Sequence, residues 1–485
     1  MQRALSILSL LLLAACADTA RDGVVDVAYI GGPGESGAAA SDPDPEAQLV
    51  NSARWQGLVR FDADGQVVPG LAERWIVTDD GLSYIFRIRD YELADGSRLS
   101  AQTVRRALVG AVDDLEETGL ALDLAKMSDI RAMTGRVIEI RLRSPMPGFL
   151  QLLAQPELAL NLDEEGTGLM VLGEDRGQTV LTALPPQQRG LPRQSDWTER
   201  TRSVSLTSTS VREAIEGFAG DRFDVILGGR VQDLPLAAGG PLSRGTVRMD
   251  SAIGLFGLDV ARPEGFLEDP ANREAIAMAL DRPALVEPLS VGGWSATARI
   301  LPATLQPPAL GVDRWANLTI EERRAIATRR VSRWEAQQGA EARLAVHLPQ
   351  GPGSDLLFGG LARQLALIGL DLVRAADAQS ADLALRDSVA RFAGARWFLN
   401  QFNCTIAPRQ CAREADDLVR LAVLARDPDI QAQLLAEAEA ALLQRNLYIP
   451  LGAPIRWSQV RSDVPGFAEN PWAFHPLFPM SGAPM

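Results

Sequence analysis

The sequence predicts an α/β protein of several domains, and three observations carry that reading. The first is a hairpin: residues 75–78 can pair with 82–89 across Asp79-Asp80-Gly81, an Asp-Gly turn that supplies the positive-φ residues tight hairpins need. In its second strand Tyr84, Phe86 and Ile88 share one face while Arg87 and Arg89 lie opposite, the pattern of a half-buried strand. The second is a set of helix starts. After the Ala94-Asp95-Gly96 turn, Ser100 is placed to cap a helix carrying Val104, Ala107 and Leu108, and Asp269-Pro270 and Asp427-Pro428 repeat a cap-plus-proline device. The third is size: 485 residues, 46% hydrophobic and 23% charged, an ordinary globular balance with room for two to four domains of about 100–200 residues each.

Taken in order, the chain opens with Arg3 and an apolar run over 4–15, too short to span a bilayer and suited to a signal-peptide core. It ends in Leu13-Ala14-Ala15-Cys16, the pattern of a bacterial lipobox, with an ordinary secretory peptide as the competing reading. Residues 1–15 are therefore expected to be a leader, Cys16 the lipidated residue and 16–23 a tether. Downstream there is no other apolar run of about 18 residues, so the exported chain is expected to sit on the cell-envelope side of a membrane by its lipid alone. Residues 24–30 read as a buried first strand, and the strand over 136–143 alternates Ile138, Ile140 and Leu142 with charges. Residues 166–210 show no periodicity and yield no element.

Several function classes are excluded. A net charge of −14, without a Lys/Arg run, argues against nucleic acid. The loop Gly32-x-Gly34-x-x-Gly37 has dinucleotide-site spacing, but Pro43 and Pro45 interrupt the helix that would give it meaning. No Gly-x-Ser-x-Gly or His-Glu-x-x-His motif occurs, and Asp113-Asp114 and Glu116-Glu117 read as a solvated face. No catalytic residue, cofactor or metal is expected. Cys404 and Cys411 read as a disulfide closing a small loop, since an exported pair this close has no histidine near it to make a metal site.

The stretch 68–108 retains Leu71-Ala72-Glu73, Trp75, Asp80-Gly81, Tyr84, Phe86, Arg89, Asp95-Gly96, Leu99, Ala101 and Val104. It resembles the family 5 extracellular solute-binding proteins, the peptide and nickel receptors of ABC importers, with Thr103 replacing the usual Asp. Further resemblances lie at 211–227, at Arg273 to Val286 with Asp281 and Arg282 marking a helix end, at 362–373 with Gly369 as helix C-cap, and at 427–451 and 464–471. The resemblance implies a two-lobed periplasmic-binding-protein-like fold (type II, cluster C-like), with mixed sheets flanked by helices and a hinge between lobes. The larger lobe would hold 24–250 and 455–485, with an extra subdomain at about 45–160. The second lobe would hold 255–452, with crossings near 252–260 and 449–457.

The resemblance also implies a solute receptor delivering a peptide-like or other small ligand to an ABC permease and ATPase, and acting as a monomer. The alternative is a divergent scaffold serving as an envelope sensor or interaction protein. The acidic residue that holds a peptide ammonium in the family is missing: the matching segment 388–396 carries Arg391 and Arg396, with Asp387 just upstream. Where dipeptide binders place an arginine for the peptide carboxylate, this chain has His347 and Gln350. Candidate ligand contacts are therefore Trp294, Arg299, His347, Asp387, Arg391, Arg396 and Trp397, aromatic walls with a few charges, each competing with a role in ordinary packing.

Overall fold

The computed structural model describes residues 23–31, 44–93, 95–162, 166–175, 178–189, 191–238, 245–305, 310–311 and 313–484. The leader, Cys16, the glycine loop and Ser41-Asp42-Pro43 lie outside the described residues. Two large mixed sheets dominate. A seven-stranded sheet runs in the order Val247–Met249, Arg456–Val460, Val225–Arg230, Val24–Ile30, Ser203–Thr209, Gln178–Ala183, Met170–Asp175, with the parallel strands at its centre. A five-stranded sheet runs Asp371–Arg374, Arg343–His347, Leu383–Val389, Gly254–Val260, Tyr448–Gly452. The chain passes from the first sheet to the second between Met249 and Gly254, and returns between Gly452 and Arg456.

A third, antiparallel sheet of four strands (Ala72–Val77, Ser83–Ile88, Val137–Leu142 and Met127–Ala132, with the middle two at the centre) contains the predicted hairpin. Gly81 turns it with φ +66, and the Asp80 carboxylate accepts from the Leu82 amide at 3.0 Å. Tyr84, Phe86 and Ile88 are buried and Arg87 faces outward, as the alternation requires. Ser100 caps the helix Ala101–Asp113 by accepting from the Thr103 amide at 3.1 Å, and the Thr103 hydroxyl joins the cap at 2.9 Å from the Ser100 hydroxyl. Asp269 and Asp427 cap Pro270–Ala279 and Pro428–Arg445 in the same way.

Three elements differ from expectation. Asp281 does follow directly on the end of Pro270–Ala279 and its cap Leu280, but it also starts an unexpected helix: it accepts from the Ala284 amide and caps Arg282–Val286, where Pro283 is tolerated because first-turn amides need no partner. The helix before Gly369 begins at Pro352, ten residues earlier than the matched stretch. Residues 166–210, left without elements by sequence, supply three strands of the large sheet, their pattern blurred because sheet neighbours rather than alternating exposure define them.

One hydrophobic core joins the four-stranded unit to the helices Ala395–Asn400, Arg413–Leu424 and Pro428–Arg445, through Phe149, Phe392, Phe398 and Phe402 among others. Gly148 is pressed against Phe392, where an added Cβ would lie 2.9 Å from its ring. This packing closes one side of the space between the two large sheets. Cys404 and Cys411 are disulfide-bonded just before Arg413–Leu424.

Candidate functional site

A cavity of ≈ 230 Å³ opens where the large sheets and the four-stranded unit converge. The seven-stranded sheet contributes Tyr29, Gly228, Arg230 and Arg456; the five-stranded sheet contributes Asp387, Ser388 and Val389. Asp123 and Glu157 enter from the side of the four-stranded unit, Trp397 and Gln401 from the helical layer, and Trp472 and His475 from the C-terminal segment. Aromatic surfaces with a few fixed charges are the composition of a small-molecule pocket.

The charges are mostly matched. Arg456 Nη1 donates to both Asp387 carboxylate oxygens, at 2.7 and 2.8 Å. Arg391 pairs with Glu157 at 2.8 Å, and the Gln48 amide also donates to that carboxylate, at 3.1 Å. Asp123, 1% exposed, accepts from the Asn400 amide at 2.6 Å. Burial pushes its carboxyl up to about 6, against the opposing pull of Arg396 and the Asn400 hydrogen bond. Behind the wall, burial lowers Lys126 to about 7, with Arg396 adding to the effect; the ammonium donates to the Pro145 carbonyl at 2.7 Å and to Gln431 at 3.2 Å.

Arg230 is aimed by an irregular strand. The pairing of Val225–Arg230 with Arg456–Val460 shifts register between Ile226 and Gly229, a bulge of the kind that re-aims a side chain. Gly228 sits at φ +83, and a Cβ on Gly229 would come 2.2 Å from the Trp457 ring, so neither position admits a side chain without rearrangement. The Trp457 indole N–H donates to the Arg230 carbonyl at 2.9 Å and fixes the bulge.

Of the residues chosen from sequence, the cavity brings together Asp387, Arg391 and Trp397. Arg396 lies behind it, donating to the Leu122 and Asp123 carbonyls. Trp294 packs against the returning crossing, its indole donating to the Ala453 carbonyl at 2.8 Å and its ring edge-on to Phe256. Arg299 is held by Glu439 at 2.6 Å and by the Gly311 carbonyl. His347 ends its strand away from the lining. Sequence reasoning missed Tyr29, Asp123, Arg230, Arg456 and Trp472. A charge directly after the uncharged, largely apolar stretch 447–455 was the available signal for Arg456.

The profile of the bacterial extracellular solute-binding proteins, family 5 (middle), matches residues 66–169, the stretch that contains the four-stranded sheet. The probable deoxycholate-binding periplasmic protein YgiS of Escherichia coli is 32% identical over 145 residues, covering 24% of this chain and 27% of that protein. The glutathione-binding protein GsiB of E. coli is 31% identical over 157 residues, covering 31% of this chain and 29% of that protein. These alignments span under a third of each relative. Likeness in fold runs much further. Haemophilus influenzae OppA in complex with RPPGFSPFR matches with a TM-score of 0.74 at 15% identity, over 93% of this chain and 97% of that one. Residues 66–169 carry the family 5 profile, and the fold of the whole chain is that of solved periplasmic binding proteins. The E. coli murein tripeptide binding protein MppA matches this chain with the same TM-score, at 16% identity, over 93% of it and 97% of MppA. NikA of Brucella suis, solved with Fe(III)-EDTA, matches with a TM-score of 0.67 at 16% identity, covering 90% and 96%. Among the described residues, no group of three or more His, Cys, Asp or Glu side chains is placed to hold a metal ion. No described helix is long and apolar enough to cross a membrane.

Proposed function

We propose that this chain is the solute receptor of an ABC-type importer, a non-enzymatic lipoprotein exported and tethered through Cys16. It captures a peptide-like or other small solute and hands it to a membrane permease driven by an ATPase. The observation that carries the reading is the cavity itself, lined from both large sheets and from the four-stranded unit. A pocket whose walls belong to separately connected bodies converts ligand contacts into closure.

Residues 24–250 with 455–485 act as one lobe and 255–452 as the other, bending at the two crossings. Asp387, Arg391 and Trp397 contribute solute contacts from the second lobe, while Trp294 braces the returning crossing. The relatives' names point to deoxycholate and glutathione, and the structural neighbours to peptides and a metal chelate. The cavity, ≈ 230 Å³ with aromatic and charged walls, suits a compact polar solute.

A thermal-shift screen of ligand-stripped protein against short peptides, amino-acid conjugates, bile acids and metal chelates tests this. A solute present at 100 times its Kd adds about 2.7 kcal/mol to stability. Mass spectrometry of solute released from the purified protein is the companion measurement. Silence across the screen, with nothing released, would remove the receptor reading.

A further inference from the structure

We propose that Arg230 anchors an anionic group, a carboxylate or a phosphate, on the solute held in this cavity; the inference rests on the receptor reading above. Arg391 and Arg456 have carboxylate partners at 2.8 and 2.7 Å, and Arg396 donates from both terminal nitrogens to the carbonyls of Leu122 and Asp123 beside the Asp123 carboxyl, leaving only its Nε unpartnered. Arg230 has none of these. Its guanidinium makes no hydrogen bond or ion pair among the described residues, although it lines the cavity.

Its charged neighbours do not supply the missing partner. Asp387 turns both oxygens to Arg456, whose own charge opposes that of Arg230. Asp233 lies within electrostatic range but forms no ion pair with Arg230. Tyr29 faces it from the next strand, and its phenol, held protonated by burial, has no hydrogen-bond partner among the described residues. A guanidinium and a phenol O–H, both donors and both open to one cavity, form a cradle for an oxyanion. A confined cation without a partner is costly, and the two glycines of the bulge keep it there against Trp457. Sites that trade stability for a ligand have this form. The anchor lies in the first lobe, away from the segment 388–396 where the family resemblance implies charged ligand contacts.

The test uses the full mature protein, wild type, Arg230→Gln and Arg230→Lys, in Tris buffer with chloride as the only small anion. The probes are N-acetylglycine, its neutral amide N-acetylglycinamide, and inorganic phosphate, read by thermal shift and titration calorimetry. The expected result is that at least one of the two anions binds wild type while the amide binds at least about 10-fold more weakly. Arg230→Gln should lose the same factor and Arg230→Lys should keep part of it, because an ammonium retains the charge without the fork. Whether N-acetylglycine or phosphate responds identifies the oxyanion. Without any probe, Arg230→Gln should melt no lower than wild type. Equal anion binding by Arg230→Gln, no response of wild type to either anion, or a large destabilisation by Arg230→Gln without ligand would each overturn the proposal. If other solutes in the wider screen still bind wild type, the receptor reading survives that failure; if none does, both fall.

Discussion

Arg456 clasps Asp387 across the two large sheets: one terminal nitrogen lies 2.7 and 2.8 Å from the two carboxylate oxygens, and the other donates to the Asp387 carbonyl at 3.2 Å. Both side chains are 9% exposed. Asp387 belongs to the strand Leu383–Val389 and Arg456 to the strand that follows the returning crossing, so the pair joins the two bodies beside the cavity.

Removing one partner of such a pair strands the other as a buried charge, which typically costs about 3–5 kcal/mol. Asp387→Asn is therefore expected to lower unfolding stability by an amount in that range. The double variant Asp387→Asn with Arg456→Met should recover much of the loss. Urea unfolding of the four members of the cycle measures the coupling. A loss below about 1 kcal/mol for the single variant would mean that solvent screens the pair as it does on a surface.

Asp123 carries a pH signature. Its folded-state carboxyl is raised to about 6 from an ordinary 3.8, chiefly by burial. Between those values the folded state binds more protons than the unfolded chain, so stability falls as pH rises from about 4 to about 6. A shift of that size corresponds to about 3 kcal/mol at most. Asp123→Asn keeps an oxygen for Asn400 and is expected to flatten this part of the stability curve. Chemical denaturation at pH 4, 5, 6 and 7 checks it, and an unchanged slope in the variant would show that another group is responsible.

The four-stranded unit was the most legible part of the chain because its instructions are local. The Asp-Gly turn, the alternation through Tyr84, Phe86 and Ile88, and the Ser100 cap each act within a few residues. The strands at 170–175, 178–183 and 203–209 were not legible, because they gain their identity from partners such as Val24–Ile30. The helix Ile320–Gln338 did carry a local signal, the Thr319–Glu322 capping box, which went unread. In the cavity the same division holds. Asp387, Arg391 and Trp397 follow one another along a stretch the family resemblance singles out, whereas Tyr29, Arg230 and Arg456 meet only because three strands far apart in sequence lie side by side.

Gly229 is a place where one methyl group should matter. A Cβ there would come within 2.2 and 2.3 Å of two Trp457 ring carbons and 2.5 Å of the Trp457 carbonyl, so either the indole or the bulge must move. Overpacking of this kind costs about 1–3 kcal/mol. Gly229→Ala is expected to lower stability by that amount and to red-shift tryptophan fluorescence as Trp457 leaves its buried position. By contrast, Gly96→Ala meets no atom within 4 Å, and its cost should be limited to the strain of φ +79. Equal costs for the two substitutions would argue against tight contact at Trp457.

The bond between Cys404 and Cys411 closes a loop with a sequence separation of 7, and the chain-entropy relation assigns such a loop about 2.5 kcal/mol. Its position makes that constraint useful. The loop links the end of Ala395–Asn400 to the start of Arg413–Leu424, and the Asp416 carboxylate accepts from the Cys404 amide at 3.0 Å, tying the loop to the helix it precedes. Ala415, Val419 and Ala422 of that helix lie buried. Neither cysteine lines the cavity. Reduction with dithiothreitol is therefore expected to lower the melting temperature of wild type, leave a Cys404→Ser/Cys411→Ser variant unmoved, and change solute affinity in neither. A fall in affinity that tracks reduction would instead mean that the loop holds Trp397 in place through the short helix between them.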